Sequence, residues 1–240
     1  GRVALTLTSI LAVHPATRHR SPVMLRVISF CLSLNCAGSP VAACQTALLL
    51  AIDVSQSIDV AEYRYQTDGM ADAVLVPDIT KALLAGEVAL AVVQWSGADS
   101  QVVSIPWMRM RTPSDIRQFS DAARTMRRAF IMSNTGVGQV MRFGLDQFGP
   151  VSDCARRVID ISGDGHDNAG TDPRSARNEA ERQGIEINGL AIEGMGVSVT
   201  SFYRRNVITR GGFVLTARGY RSYARTLREK IKREISQVMF

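Results

Sequence analysis

A short unbroken apolar run, Thr46-Ala47-Leu48-Leu49-Leu50-Ala51-Ile52-Asp53, constrains the fold of this chain more than any other segment. It is too short to cross a membrane as a helix, and it lacks the polar stripe of an amphipathic one. A strand buried on both faces reads this way, and such strands belong to parallel sheets covered by helices on both sides. The run ends in Asp53-Val54-Ser55-Gln56-Ser57. One carboxylate and two hydroxyls then sit on a loop at the carboxyl end of a central strand, where open α/β sheets place their ligands. Oxygen donors without nitrogen or sulfur suit a hard cation such as Mg²⁺ or Mn²⁺.

Two later segments extend the pattern. Ser133-Asn134-Thr135-Gly136-Val137-Gly138 opens a helical stretch that runs to Phe148, and Val158-Ile159-Asp160-Ile161-Ser162-Gly163-Asp164-Gly165 is a second buried-strand pattern ending in an Asp-Gly loop. Each residue has an ordinary structural role available to it. Asp53 can cap a helix, Ser55 and Ser57 can make local turn bonds, Thr135 can be an N-cap, and Asp164-Gly165 is a common turn pair. What separates the set from chance is order: all five fall at strand-to-helix junctions. Thr135 and Asp164 would complete an oxygen cage drawn from three loops.

This succession resembles the von Willebrand factor type A family over roughly residues 45–238, with Val92-Val93-Gln94-Trp95-Ser96-Gly97 and the segment from Arg157 to Gly165 similar to bacterial secreted members. The resemblance implies a doubly wound, mostly parallel six-stranded sheet in the order 3-2-1-4-5-6, the third strand antiparallel. It also implies that Asp53, Ser55, Ser57, Thr135 and Asp164 form a metal-ion-dependent adhesion site (MIDAS). One departure is Ser162-Gly163-Asp164-Gly165, where many members carry Thr-Asp-Gly. A site with two acids and three neutral hydroxyls leaves a divalent ion electrophilic. The resemblance thus implies a binding module, not an enzyme, in which a partner protein's Asp or Glu carboxylate completes the coordination. The rival reading is a metal-dependent hydrolase or phosphoesterase using His166 as base. No G-x-x-x-x-G-K-[ST] segment occurs, and Gly136-Val137-Gly138 lacks the preceding strand of a dinucleotide fingerprint.

The net charge of +6 looks like a polyanion-binding signature until its placement is considered. Residues 1–43 carry Arg2, Arg18, Arg20 and Arg26 and no acid, so beyond them 24 basic residues face 22 acidic ones. A nucleic-acid partner is not indicated. Within that extension, Met24-Leu25-Arg26 is a short positive start, residues 27–37 are mostly apolar, and Ser39-Pro40-Val41-Ala42-Ala43 has the small residues of a signal-peptidase site. The expectation is a signal peptide within residues 1–43, a von Willebrand factor A-like domain over 44–240, and a secreted or periplasmic location with no transmembrane segment in the mature chain. Cys31 and Cys36 would leave with the signal, which makes Cys44 and Cys154 the mature pair. They precede Asp53 and Asp164 by nearly equal intervals, so parallel neighbouring strands would bring them together at the opposite end from the acids. A Cys44–Cys154 disulfide ranks first, lipid anchoring at Cys44 second, and two free thiols remain the plain alternative.

Between these landmarks strands alternate with helices. Helices are expected over residues 59–76, 114–130, 136–148, 172–183, 198–207 and 220–238, with a short turn at 79–84. Strands are expected over 88–93, 101–107, 185–192 and 212–215. The last helix places Tyr220, Tyr223, Leu227, Ile231, Ile235 and Val238 on one face, and Arg221, Arg225, Arg228 and Lys232 on a solvated one.

Overall fold

The computed structural model describes residues 44–131, 134–194 and 198–236. The signal-peptide expectation for residues 1–43 and the helix end at Val238 lie outside them. The strands are β1 (Thr46–Asp53), β2 (Ala89–Trp95), β3 (Gln101–Arg109), β4 (Arg156–Gly163), β5 (Glu186–Glu193) and β6 (Val214–Arg218). The α-helices are α1 (Val60–Val74), α2 (Pro77–Ala85), α3 (Pro113–Thr125), α4 (Val137–Leu145), α5 (Pro173–Gln183), α6 (Val199–Asn206) and α7 (Tyr223–Ser236). The strands form one sheet in the order β3-β2-β1-β4-β5-β6. Only the β2–β3 pairing is antiparallel. This is the expected topology.

Alternation along β1 shows why its apolar run is continuous. Leu48, Leu50 and Ile52 enter a core layer with α1, α2, α3 and α7, while Ala47, Leu49 and Ala51 enter the opposite layer with α4, α5 and α6. A strand buried on both faces needs apolar residues at every position. The helix between the first two strands starts where a cap is available. Asp59 accepts a bond from the Glu62 backbone N–H at 2.8 Å, and the Glu62 side chain accepts one from the Asp59 N–H. That reciprocal pair satisfies two otherwise orphaned donors. Likewise α5 begins with Pro173 behind the cap Asp172 and ends at Gly184, whose φ of 64° is in the left-handed region that glycine tolerates.

Four expectations about helical segments are corrected. The stretch over 114–130 stops at Thr125, and Met126 is already extended. The reason is tertiary. The side-chain amide of Gln94 donates to the Arg127 carbonyl and accepts from the Ala129 N–H, both at 2.9 Å, and Tyr63 donates to the Met126 carbonyl. These bonds hold the backbone straight where its own periodicity would continue a helix. The stretch over 136–148 tightens after Leu145 into a 3₁₀ turn, Asp146–Val151, which runs through Pro150. Finally, α7 begins at Tyr223, after a separate 3₁₀ turn, Tyr220–Ser222, and the turn expected at 79–84 is the full helix α2 starting at Pro77.

Candidate functional site

The carboxyl ends of β1 and β4 are adjacent, and the residues leaving them meet. Asp53 Oδ1 accepts the Ser55 backbone N–H at 2.8 Å, a local turn that points the Ser55 side chain back toward the carboxylate. The Ser55 and Ser57 hydroxyls are 3.2 Å apart, and Ser57 donates to Asp164 Oδ1 at 2.7 Å. Four of the five expected residues are therefore connected through one chain of bonds. Thr135 comes in from the side. Its hydroxyl makes no hydrogen bond with the other four, but it lies 3.4 Å from the point where a side chain on Gly165 would begin.

The loop bearing Thr135 is fixed by neighbours outside the five. Asn168 accepts the Thr135 N–H through its side chain and donates its own N–H to the Thr135 carbonyl, both at 2.9 Å. Asp167 accepts from Gly138 at 3.3 Å in the first turn of α4, where a carboxylate complements the helix dipole. Gly138 is obligatory for a different reason from phosphate binding: an added Cβ would lie 1.8 Å from the Thr171 carbonyl oxygen. On the other side, Arg128 Nη2 donates to the Val54 and Ser55 carbonyls at 2.9 and 2.7 Å, and Gln66 donates to the Asp53 carbonyl at 2.9 Å. Arg128, Gln66, Asp167 and Asn168 hold the loops without belonging to the Asp-x-Ser-x-Ser pattern. Asp167 and Asn168 tie down the Thr135 segment, and Asp172 caps α5.

Asp53 is fully buried, and its Oδ2 has no hydrogen-bond partner among the described residues. Burial, with a further contribution from the nearby Asp164 charge, pushes its carboxyl up to about 7. A buried carboxylate oxygen without a partner costs free energy unless something positive meets it. Two tyrosine hydroxyls, those of Tyr203 and Tyr220, are likewise buried and unpartnered there, and burial raises both well above the usual phenol range. Among the described residues no three His, Cys, Asp or Glu side chains cluster, so a cation here would have to take hydroxyl ligands. The Ser55 and Ser57 hydroxyls in the chain of bonds from Asp53 to Asp164 are of that kind. They fit a hard divalent ion. His166, the rival reading's base, turns its ring edge onto Phe202 at a centroid distance of 4.9 Å.

At the far end of the same two strands, Cys44 and Cys154 form a disulfide with Cα atoms 4.5 Å apart. The bridge uses the sulfur that a lipid would need, so lipid anchoring at Cys44 and this disulfide exclude each other. No helix among the described residues is long and apolar enough to cross a membrane.

A profile of the family described as "Protein of unknown function (DUF1194)" matches residues 43–239. The chain belongs to this family. No curated protein matches it. Solved structures show the fold of this DUF1194 member to be that of a von Willebrand factor type A domain. Proximal thread matrix protein 1 from the mussel byssus, with a zinc-occupied MIDAS motif, is 17% identical with a TM-score of 0.59, over 81% of this chain and 46% of that one. The von Willebrand factor type A protein from Catenulispora acidiphila is 16% identical with a TM-score of 0.59, over 82% and 43%. The pilus adhesin SpaC from Lactobacillus rhamnosus GG is 12% identical with a TM-score of 0.60, over 81% and 31%. The chain thus spans less than half the length of these three proteins.

Proposed function

We propose that this protein is a divalent-cation-dependent protein-binding module. In this reading Asp53, Ser55, Ser57, Thr135 and Asp164 hold Mg²⁺ or Mn²⁺, and a partner contributes an Asp or Glu carboxylate. The observation that carries the reading is the buried, unpartnered Oδ2 of Asp53, on a carboxylate joined through Ser55 and Ser57 to Asp164 on a second loop. When bound, the ion supplies a Lewis-acidic position for an external oxygen. The chain's own residues hold the three loops in register and keep Asp53 away from water. This reading assigns binding without turnover, and His166, the rival reading's base, packs its ring against Phe202. Export to an oxidising compartment, after removal of a signal within residues 1–43, accords with the disulfide.

Calorimetric titration of residues 44–240 with Mg²⁺ and Mn²⁺ should give a single site. Asp53→Ala should abolish it while the domain still melts cooperatively; undiminished ion binding by that variant defeats the assignment. Thr135→Ala should act differently. Its hydroxyl stands apart from the bonded four, so it should matter most once an external ligand is seated. Surface plasmon resonance on a partner recovered by pull-down should show a larger loss for that variant than the ion titration does. Indifference of partner binding to chelator would exclude the metal-bridged mode.

A further inference from the structure

The amino ends of β5 and β6 lie at the opposite end of the sheet from the metal loops. There α5, α6 and the loop leading into β6 enclose a cleft of about 470 Å³. Its floor is rigid. Thr209 both donates its backbone N–H to the Ile187 carbonyl at 3.2 Å and accepts the Ile187 N–H on its hydroxyl at 3.0 Å. Gly212 follows so closely over β5 that an added Cβ would stand 2.3 Å from the Ile187 carbonyl oxygen. The walls are tied together where Arg177 on α5 donates to the Arg205 carbonyl at 2.7 Å and Arg174 to the Asn206 side chain at 3.0 Å.

Three arginines, Arg177, Arg204 and Arg210, line this cleft beside a single acid, Glu181. Elsewhere on the surface some arginines are matched with acids, as in Arg64–Asp68, Arg111–Glu87 and Arg124–Asp72. Arg177, Arg204 and Arg210 have no salt-bridge partner among the described residues. Glu181, whose Oε1 accepts the Arg210 backbone N–H at 2.9 Å, offsets only one of the three positive charges. Guanidinium groups crowded around one concavity repel each other, and a bound anion removes that repulsion. The exposed Arg221, in the turn before α7, and Arg225 and Arg228 on α7 differ, since they line none of the clefts described. We propose that the cleft is an anion site for a phosphomonoester. A compact dianion with three terminal oxygens can be gripped by several guanidinium forks at once, which a lone carboxylate cannot match. Asn178 and Ile208, also in the lining, meet the esterified side of the ligand.

The test uses glycerol 3-phosphate as probe, in metal-free buffer, so the outcome is independent of the cation reading. Calorimetry on residues 44–240 should show saturable binding that weakens at least tenfold in Arg204→Ala/Arg210→Ala, with an unchanged melting temperature. Arg221→Ala/Arg225→Ala, in the turn before α7 and at its start, should bind as the wild type does. Co-sedimentation with phosphatidylcholine vesicles, with and without phosphatidic acid, separates the two sources of the group. Phosphatidic-acid-dependent pelleting lost in the double variant assigns a lipid-borne ester, and binding of the free ester alone assigns a soluble one. The proposal is overturned by absence of saturable binding at millimolar probe, by an unaffected double variant, or by an equal loss in the α7 control.

Discussion

A methyl group at residue 163 would begin 2.9 Å from Asp53 Oδ2, 2.8 Å from the Tyr203 hydroxyl and 3.2 Å from the Trp95 ring. All three neighbours are fully buried, so none can retreat into solvent. Gly163→Ala should therefore destabilise the domain by about 1–3 kcal/mol, the usual cost of overpacking, and should displace the Asp53 carboxylate enough to weaken Mg²⁺ binding. Gly149→Ala is the matched control, because nothing lies within 4 Å of its added Cβ. Urea melts and Mg²⁺ titrations of the pair would check both effects; equal behaviour of the two variants would remove the steric explanation. The same contact accounts for the Ser-Gly-Asp-Gly departure noted from sequence, since the smallest residue stands where Tyr203, Trp95 and Asp53 converge. The acids and hydroxyls were legible because their chemistry is written in the residue types. Tyr203 and Tyr220 were not, because an aromatic at helical spacing reads equally well as ordinary core.

Among the elements, α7 shows what an amphipathic pattern conceals. Its buried face contains the expected Tyr223, Leu227, Ile231 and Ile235, but also Lys230 and Glu234, both fully buried. Lys230 pairs with Asp160 on β4 at 2.6 Å and with Glu234 one turn along its own helix. Asn188 bridges Glu234 to Glu186, which in turn pairs with Arg156, while Arg233 stacks on Phe213 at the edge of the cluster. Charge inside an apolar run, as in Val158-Ile159-Asp160-Ile161, demands a buried partner. Sequence alone could not say which helix supplies it. Two carboxylates against one ammonium leave an excess negative charge in a dry interior. Burial, reinforced by Asp160, accordingly pushes Glu234 up to about 7. The folded state then holds a proton that the unfolded chain has already lost, so this contribution is complete below the ordinary glutamate range and disappears as pH rises through about 7. Denaturant unfolding at pH 5 and pH 8 should show the wild type losing more stability over that interval than Glu234→Gln. Taking the difference between the profiles separates Glu234 from Asp53, which shifts in the same direction. Parallel profiles would mean that Glu234 is ionised throughout.

At the scale of the whole molecule, the sheet is assembled from segments far apart in the chain. Strand number and helix alternation follow from local periodicity, whereas the strand order came from family resemblance, because parallel pairing leaves no turn signal to read. Helix ends were misjudged wherever a distant side chain decided them, as Gln94 does after α3. The pairing of β1 with β4 is the central long-range event. Its register sets Thr46 opposite Arg156, and the ladder continues backwards through Gln45 and Cys44 to the disulfide. A link between positions separated by 110 residues removes much of the freedom of the unfolded chain. In the entropic account a closure of that size is worth up to about 4–5 kcal/mol, often less in practice. Cys44→Ala/Cys154→Ala should thus lower the urea midpoint and steepen the denaturant dependence, since the unfolded ensemble can expand further. It should leave Mg²⁺ affinity at the far end of the strands unchanged, because the parallel ladder holds Asp53 and Asp164 adjacent without the bridge. An unaltered midpoint would show that β1 and β4 pair as firmly without the covalent link. A lost ion site in a protein that still melts cooperatively would show that the bridge transmits order along the whole length of the two strands.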